Sequence, residues 1–176
     1  MLAAFADDPD MESLIIDSTL VRAHPCAAGA PAARGGQAQQ ALGRSRGGFT
    51  TKIHISVDAQ GKPLRLRLTA GQRHDIKEAP ALTDGFDYRH LIADGSYDAD
   101  AFIDQIQAQQ ALPVIPSRAK RRSPRDLDQL LYRERHRIEC FINKIKHYRR
   151  IFSRFRKLDS RYLGFLAFVA VLIWLR

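Results

Sequence analysis

Three carboxylates that lie far apart in the chain, Asp17, Asp94 and Glu139, stand where side chains could do chemistry together. Asp17 closes the apolar run Leu14-Ile15-Ile16 and Asp94 closes His90-Leu91-Ile92-Ala93. The ends of buried strands are where a sheet delivers side chains to a site. Glu139 belongs to a helical stretch. At about 100° per residue, Arg135, Glu139 and Lys146 fall within about 60° of Tyr132, so a phenol, a guanidinium, a carboxylate and an ammonium share one stripe. Leu131, Ile138, Phe141, Ile142 and Ile145 form the adjoining apolar face, which places the stripe at the border of the core, where a cleft would be. Carboxylates beside excess positive charge suit divalent-metal phosphoryl transfer. Hard oxygens hold Mg²⁺ or Mn²⁺, two such ions can clamp the attacking and leaving oxygens at phosphorus, and cations grip the phosphodiester backbone. Spacing alone leaves a second reading open, a surface ion pair of Arg135 with Glu139 one turn on.

Charge and its distribution point to a polyanionic partner. Among 176 residues, 28 Lys and Arg face 19 Asp and Glu, a net +9. Residues 117–157 hold 15 of those bases and only four acids, so this stretch carries +11 and the remainder −2. Arg118, Lys120, Arg121, Arg122 and Arg125 form one basic loop. Arg149, Arg150, Arg154, Arg156 and Lys157 form another, interleaved with Tyr148, Phe152 and Phe155, a pattern of nucleic-acid contact more than of a solvated face. Arg44 and Arg46 sit among glycines, whose backbone can approach an anion closely; a flexible loop is the competing reading.

Other features exclude function classes. Two cysteines, Cys26 and Cys140, make no disulfide framework, and with six scattered histidines they show no zinc-ligand spacing, which fits a reducing cytoplasm. The acidic start, residues 1–13, lacks the positive region of a secretory signal. Tyr162 to Leu175 is apolar for 14 residues, short of the roughly 20 that span a membrane, and predicts a buried helix. His74-Asp75 could suggest a catalytic pair, but no nucleophile lies nearby and Asp75 is placed to cap a helix. Cys140 is assigned no role.

The elements that must position these groups are legible as periodicities. Ile53, Ile55 and Val57 alternate with polar residues, as do Leu64, Leu66 and Leu68, and Asp58 to Pro63 between them is turn chemistry, so the pattern predicts a hairpin. Asp75 with Glu78 predicts a capped helix to about Leu82, Asp98 to Gln110 a second helix, Leu112 to Ile115 a short strand, and Asp126 to about His147 one long helix. Residues 23–48, rich in Ala and Gly, show neither period and read as a flexible loop. A hairpin followed by alternating strands and helices implies an α/β domain, a mixed sheet flanked by helices.

Tyr132, Arg135, Glu139 and Lys146 match the Y-x2-R-x3-E-x6-K signature, and in this the chain resembles bacterial insertion-sequence DDE transposases. Ile16-Asp17-Ser18-Thr19, Gly43-Arg44-Ser45-Arg46-Gly47-Gly48 followed by Thr51-Lys52-Ile53-His54, Gly71-Gln72-Arg73-His74-Asp75, and Ala93-Asp94 with Tyr97-Asp98 resemble further blocks of that group, in the expected order. The resemblance implies an RNase H-like fold in which the first and fourth strands bring two aspartates together and a later helix supplies the glutamate. It implies that Asp17, Asp94 and Glu139 are catalytic and bind metal, two Mg²⁺ or Mn²⁺ ions. Arg135 and Lys146 would hold phosphate oxygens and Tyr132 would meet the DNA near the cleavage point.

On this reading, residues 1–13 are an acidic leader and residues 14–176 the catalytic domain, with residues 117–157 contacting DNA chiefly through Arg121, Arg122, Arg149 and Arg150 beside Arg44 and Arg46. The implied partners are transposon-end and target DNA, a second copy in a synaptic complex, and a helical DNA-binding region encoded upstream, in a bacterial cytoplasm at the nucleoid. After the second aspartate, Gly95-Ser96 stands where relatives carry a basic residue and then glycine. A DNA-binding remnant without activity, and an RNase H-like nuclease without strand transfer, are the alternatives.

Overall fold

The computed structural model describes residues 9–45 and 47–175. Its strands are β1 (Ser13–Ala23), β2 (Gly43–Ser45), β3 (Gly48–Val57), β4 (Pro63–Ala70), β5 (His90–Ile92), β6 (Leu112–Val114) and β7 (Ser153–Arg154). The helices are α1 (Ala79–Thr83), α2 (Asp100–Ala108), α3 (Gln129–Arg133), α4 (His136–Lys146), α5 (Arg149–Phe152) and α6 (Asp159–Trp174). The sheet runs β2-β3-β1-β5-β6, with β4 also on β3 and β7 also on β1. β1 is antiparallel to β3 and parallel to β5 and β7, while β3 is antiparallel to β4 and β5 is parallel to β6. Central β1, antiparallel on one edge and parallel on the other, completes the mixed sheet flanked by helices that the periodicities predict, with the strands leading to Asp17 and Asp94 side by side as the resemblance implies.

Alternation along β1 sends its side chains to two cores. Ile15 and Val21 join Ile53, Ile55 and Val57 of β3 beneath α4 and α6, and Leu14 and Ile16 join Leu64, Leu91, Phe102 and Ile106 beneath α1 and α2. α4 buries Ile138, Phe141, Ile142 and Ile145, an i, i+3, i+4, i+7 stripe. The apolar C-terminal run forms α6, whose Tyr162, Leu166, Val169 and Ala170 are buried, and Trp174 donates from Nε1 to the Pro63 carbonyl at 2.8 Å. No helix among the described residues is long and apolar enough to cross a membrane.

Several predicted elements differ in detail. β1 does not end at Asp17 but continues to Ala23, because β3 pairs it through Arg22. The predicted helix from Asp126 begins after Asp128, whose carboxylate accepts from the amides of Leu130 and Leu131. It is interrupted at Glu134 and Arg135, where amides reach back three residues rather than four. Asp75 caps no helix. Residues Asp75–Lys77 form a 3₁₀ turn, Glu78 accepts from Arg67 and Arg73, and α1 starts after it. Within residues 23–48 the chain makes three 3₁₀ turns before β2, and buried Gln40 fastens them by donating to the Arg34 carbonyl and accepting from the Asp159 amide. Of the predicted leader, Met1 to Asp8 lies outside the described residues; Asp10 exchanges backbone and side-chain bonds with Asp58 and Ala59, so the segment just before β1 is docked.

Arg154 is the largest departure. Counted with the DNA-facing bases, it is fully buried, donating to Thr51 Oγ1 at 2.7 Å and to the carbonyls of Ala41, Arg156 and Lys157, with its guanidinium 5.3 Å from the Tyr162 ring. Burial lowers its proton affinity, and it serves as a cross-brace between β7, β3 and the loop before β2.

His54 is also fully buried; its Nε2 is 2.8 Å from Thr69 Oγ1, and its Nδ1 has no hydrogen-bond partner, lying 3.8 Å from Asp75. Burial lowers its pKa to about 4, outweighing the pull of Asp75 and Glu78. The unfolded chain takes up this proton near pH 6.5, so stability present above that pH is lost as the pH falls toward 4. Urea melts should show wild type losing up to about 3 kcal/mol relative to His54→Gln across that window. Because other titrations are common to both proteins, parallel curves would show that the imidazole protonates within the fold.

Candidate active site

Parallel pairing brings the two aspartates together. Ile15 of β1 is opposite Ile92 of β5, and Asp17 and Asp94 each follow two residues later, at matching height beyond the last paired residues. The edge of β1 that β5 leaves after Ile15 is taken up again only by β7 at Arg22, so Asp17 stands beside a gap in the sheet. Its side chain shares the face of Ile15 and Val21, toward α4.

Asp17 is nearly buried, 7% exposed, and makes two strong contacts. Its Oδ1 accepts from the Ser18 amide at 2.7 Å and its Oδ2 from Arg135 Nη2 at 2.6 Å. Burial raises its pKa to about 6, against the pull of Arg135 and the Ser18 amide, and the charge of Asp94 adds to the rise. One guanidinium therefore does not offset the cost of burying the charge. Asp94 opens the 3₁₀ turn Gly95–Tyr97 and accepts from the amide and hydroxyl of Ser96, which fixes its carboxylate at the strand end.

The Gly95-Ser96 departure has a structural counterpart. Arg118 donates to the carbonyls of Gly95 and Ser96, and its own amide donates to Asp98 at 2.9 Å. Arg121 and Arg125 both grip Asp98 and Asp100. Burial disfavours the Asp98 charge, but the Arg118 amide and these two guanidiniums outweigh it and hold the carboxyl below its usual range. A basic clamp from the following loop thus braces the turn that aims Asp94.

Glu139, in the first turn of α4, is half exposed and meets Arg135 Nη1, while the other terminal nitrogen of Arg135 holds Asp17. The predicted i,i+4 ion pair is present, and it is one arm of a bridge between the helix and the central strand. Tyr132 is half-buried on α3; burial raises its pKa, with Arg135 opposing and Asp94, Asp17 and Glu139 adding, so the phenol stays protonated within reach of their fields. Lys146 lies about 10 Å further along α4. Asp17, Asp94, Tyr132, Arg135 and Glu139 therefore converge. Arg44, Arg122, Arg149 and Arg150 are exposed elsewhere on the surface, Arg121 is committed to the Asp98 clamp, and Arg46 lies outside the described residues.

Among the described residues, no three His, Cys, Asp or Glu side chains are drawn into a metal cage. Asp17 and Asp94 approach each other while Glu139 is turned onto Arg135. The donors are all carboxylate oxygens, two of them at one level beyond adjacent parallel strands, and such a hard donor set fits a divalent cation.

Residues behind the site were not legible as functional. Asp75 accepts from Ser18 Oγ at 2.7 Å and from Lys52 Nζ at 2.8 Å, anchoring β1 at the residue next to Asp17. Tyr97 is fully buried and its hydroxyl has no partner; burial pushes its pKa far up, with Asp75, Asp17 and Asp94 adding. The sequence marked these residues only as parts of the His74-Asp75 pair and of the blocks that carry the resemblance, without a role, and the importance of the pair lies in the aspartate.

The chain is similar to several known proteins. The family model described as transposase DDE domain matches residues 8–174. A protein of Brucella ovis titled "Putative transposase for insertion sequence element IS6501" is 44% identical over 133 residues, covering 73% of this chain and 100% of that one. An uncharacterized protein of Sinorhizobium fredii, y4sN, is 56% identical over 41 residues, 23% of this chain and 33% of that protein. Among solved structures, a piggyBac transposase in a synaptic complex with hairpin DNA matches 63% of this chain with a TM-score of 0.41 and 14% identity; the match spans 24% of that longer chain.

Charge removal at the buried aspartate should stabilise the fold. Its ionised form, which predominates at neutral pH, is less stable in the fold than in the unfolded chain, so Asp17→Asn should raise stability by about 1–3 kcal/mol, the lower figure allowing for the lost Arg135 pair. Thermal melts at neutral pH without divalent ions should show a higher Tm. A lower one would mean that the Arg135 pair outweighs the burial cost.

Proposed function

The chain belongs to the transposase DDE domain family, and on that premise we propose that it cleaves DNA at insertion-sequence ends and joins the freed 3′-hydroxyl to target DNA, with Asp17, Asp94 and Glu139 holding divalent metal. The observation that carries this reading is the matched placement of Asp17 and Asp94 beyond adjacent parallel strands, facing a helix that presents Glu139 through Arg135. Magnesium or manganese, when bound, supplies Lewis acidity at phosphorus and a more acidic water.

The protein's own groups do the positioning. Ser96 and the Arg118 clamp fix the direction of Asp94, and Asp75 fixes β1 through Ser18. Arg135 is a counter-charge that can pass from carboxylate to phosphate oxygen, since its planar fork suits both. Tyr132, protonated and half-buried beside it, offers a ring face and a hydrogen-bond donor to DNA at the cleft. Exposed Arg122, Arg149 and Arg150, with Lys146, hold the backbone further out, and a second copy would bring the other element end. Hydrolysis would break a P–O bond with water as nucleophile and leave a 3′-hydroxyl; joining would break a target P–O bond with that hydroxyl and release a target 3′-hydroxyl.

A cleavage and joining assay on DNA carrying the element's two ends, with Mg²⁺, tests the assignment. Asp94→Asn and Glu139→Gln should each reduce both steps to background while melting like wild type or higher. Full cleavage by Glu139→Gln would remove it from the acidic set. Wild-type cleavage without joining would instead favour a nuclease, and wild-type binding without cleavage a DNA-binding remnant.

A further inference from the structure

The interleaved arginines and aromatics after α4 are sorted by the fold into two populations. Arg154 goes inside, as described above. Arg149, Arg150 and Arg156 stay exposed around a cavity of about 400 Å³, whose remaining lining is Phe155, Tyr162 and Phe165. Among the described residues, no carboxylate lines it. The floor is rigid: Tyr162 is buried and donates to the Ile151 carbonyl at 2.9 Å, Ile151 is fully buried, and Arg154 lies against the Tyr162 ring. Phe155 packs against His24 with ring centroids 4.9 Å apart and planes tilted by 31°, and both it and Phe165 keep part of their surface open.

We infer that this cavity binds one unpaired DNA nucleotide, its base against the phenylalanine faces and its flanking phosphates on the three guanidiniums. The inference rests on the DNA-processing role proposed above and adds a ligand to it. A solvated basic face needs no concavity and no aromatic wall, whereas bases of any sequence stack on aromatic rings while arginines track the backbone. The volume suits a small ligand. Other cavities lack the combination: one of about 480 Å³ is lined by Glu12 and Asp87, which would repel phosphate, and another of the same size offers Lys144 beside His147, Tyr148 and Ile173. Position also fits. β7, just before Phe155, pairs with β1 at Arg22, five residues beyond Asp17 and therefore about 16 Å from it along the strand. DNA reaching the acidic site could place a nearby extruded base here.

Fluorescence anisotropy with the wild-type chain, comparing a blunt duplex with the same duplex carrying one extrahelical 2-aminopurine, decides the matter. The bulged duplex should bind about tenfold tighter, and the 2-aminopurine emission should be quenched on binding. Phe155→Leu and Phe165→Leu should abolish the preference and the quenching while retaining blunt-duplex affinity. Arg150→Gln should weaken both duplexes and lower the salt slope by about one. Equal wild-type affinity for the two duplexes, without quenching, overturns the inference and leaves backbone contact alone; so does a preference that survives both phenylalanine changes. Absence of binding to either duplex would instead sink the DNA-processing reading itself. The wild-type measurements stand even if a phenylalanine variant fails to fold.

Discussion

Asp17 puts a carboxylate into the middle of the central strand, on the face it shares with Ile15, Thr19 and Val21. A charge there is costly unless something answers it, and much of the surrounding structure is the answer. Arg135 reaches it from the start of α4, 118 residues away in sequence, at 2.6 Å. That single guanidinium also carries Glu139, so the helix holding the third acid is docked by the same bond that makes the first acid tolerable. The compensation is incomplete: burial still holds the pKa of Asp17 above its usual range.

The second aspartate is set by backbone geometry rather than by attraction, since two like charges do not seek each other. Parallel register from Ser13 opposite His90 to Ile15 opposite Ile92 leaves Asp17 and Asp94 at one level. Beyond that level the strands behave differently. β1 continues under the hold of β3, whereas β5 stops and turns, with Asp94 capping the turn by accepting from Ser96 and Arg118 closing over it. A one-residue slip would send Asp17 to the opposite face, so the hydrophobic alternation that specifies the sheet also specifies the site.

Most of this was legible because it depends on local pattern. The hairpin of β3 and β4, the strands ending near Asp94 and Pro116, the apolar stripe of α4 and the buried α6 all follow from periodicity, and Tyr132, Arg135 and Glu139 are close enough in sequence for a helical wheel to group them. What escaped depends on partners distant in sequence. The pairing of β1 beyond Asp17 needs β3; the role of Asp75 needs Ser18 and Lys52; and the break at Glu134 needs the helix to satisfy Arg135 and the core together. Arg154 and Arg150 cannot be told apart by composition. Only the sheet, by pairing Arg154 opposite Ala23, sends one of them inside.

That last distinction changes the meaning of the basic segment. Arg118, Arg121, Arg125, Arg135, Arg137 and Arg154 all spend their donors within the protein, on Asp98, Asp100, Asp17, Glu139, Glu134 and a series of carbonyls. The formal +11 of residues 117–157 is therefore not the charge presented to DNA. Part of it is scaffolding that lets acidic side chains converge, and this part cannot be exchanged for lysine without loss, because it works through planar, multidentate donation. The bases left facing outward, among them Arg122, Arg149, Arg150 and Arg156, are the ones that counterion release would report. On the proposed function, one residue type serves two opposed tasks, neutralising the protein's own carboxylates and attracting a polyanion, and the partners each arginine finds within the fold decide which task it performs.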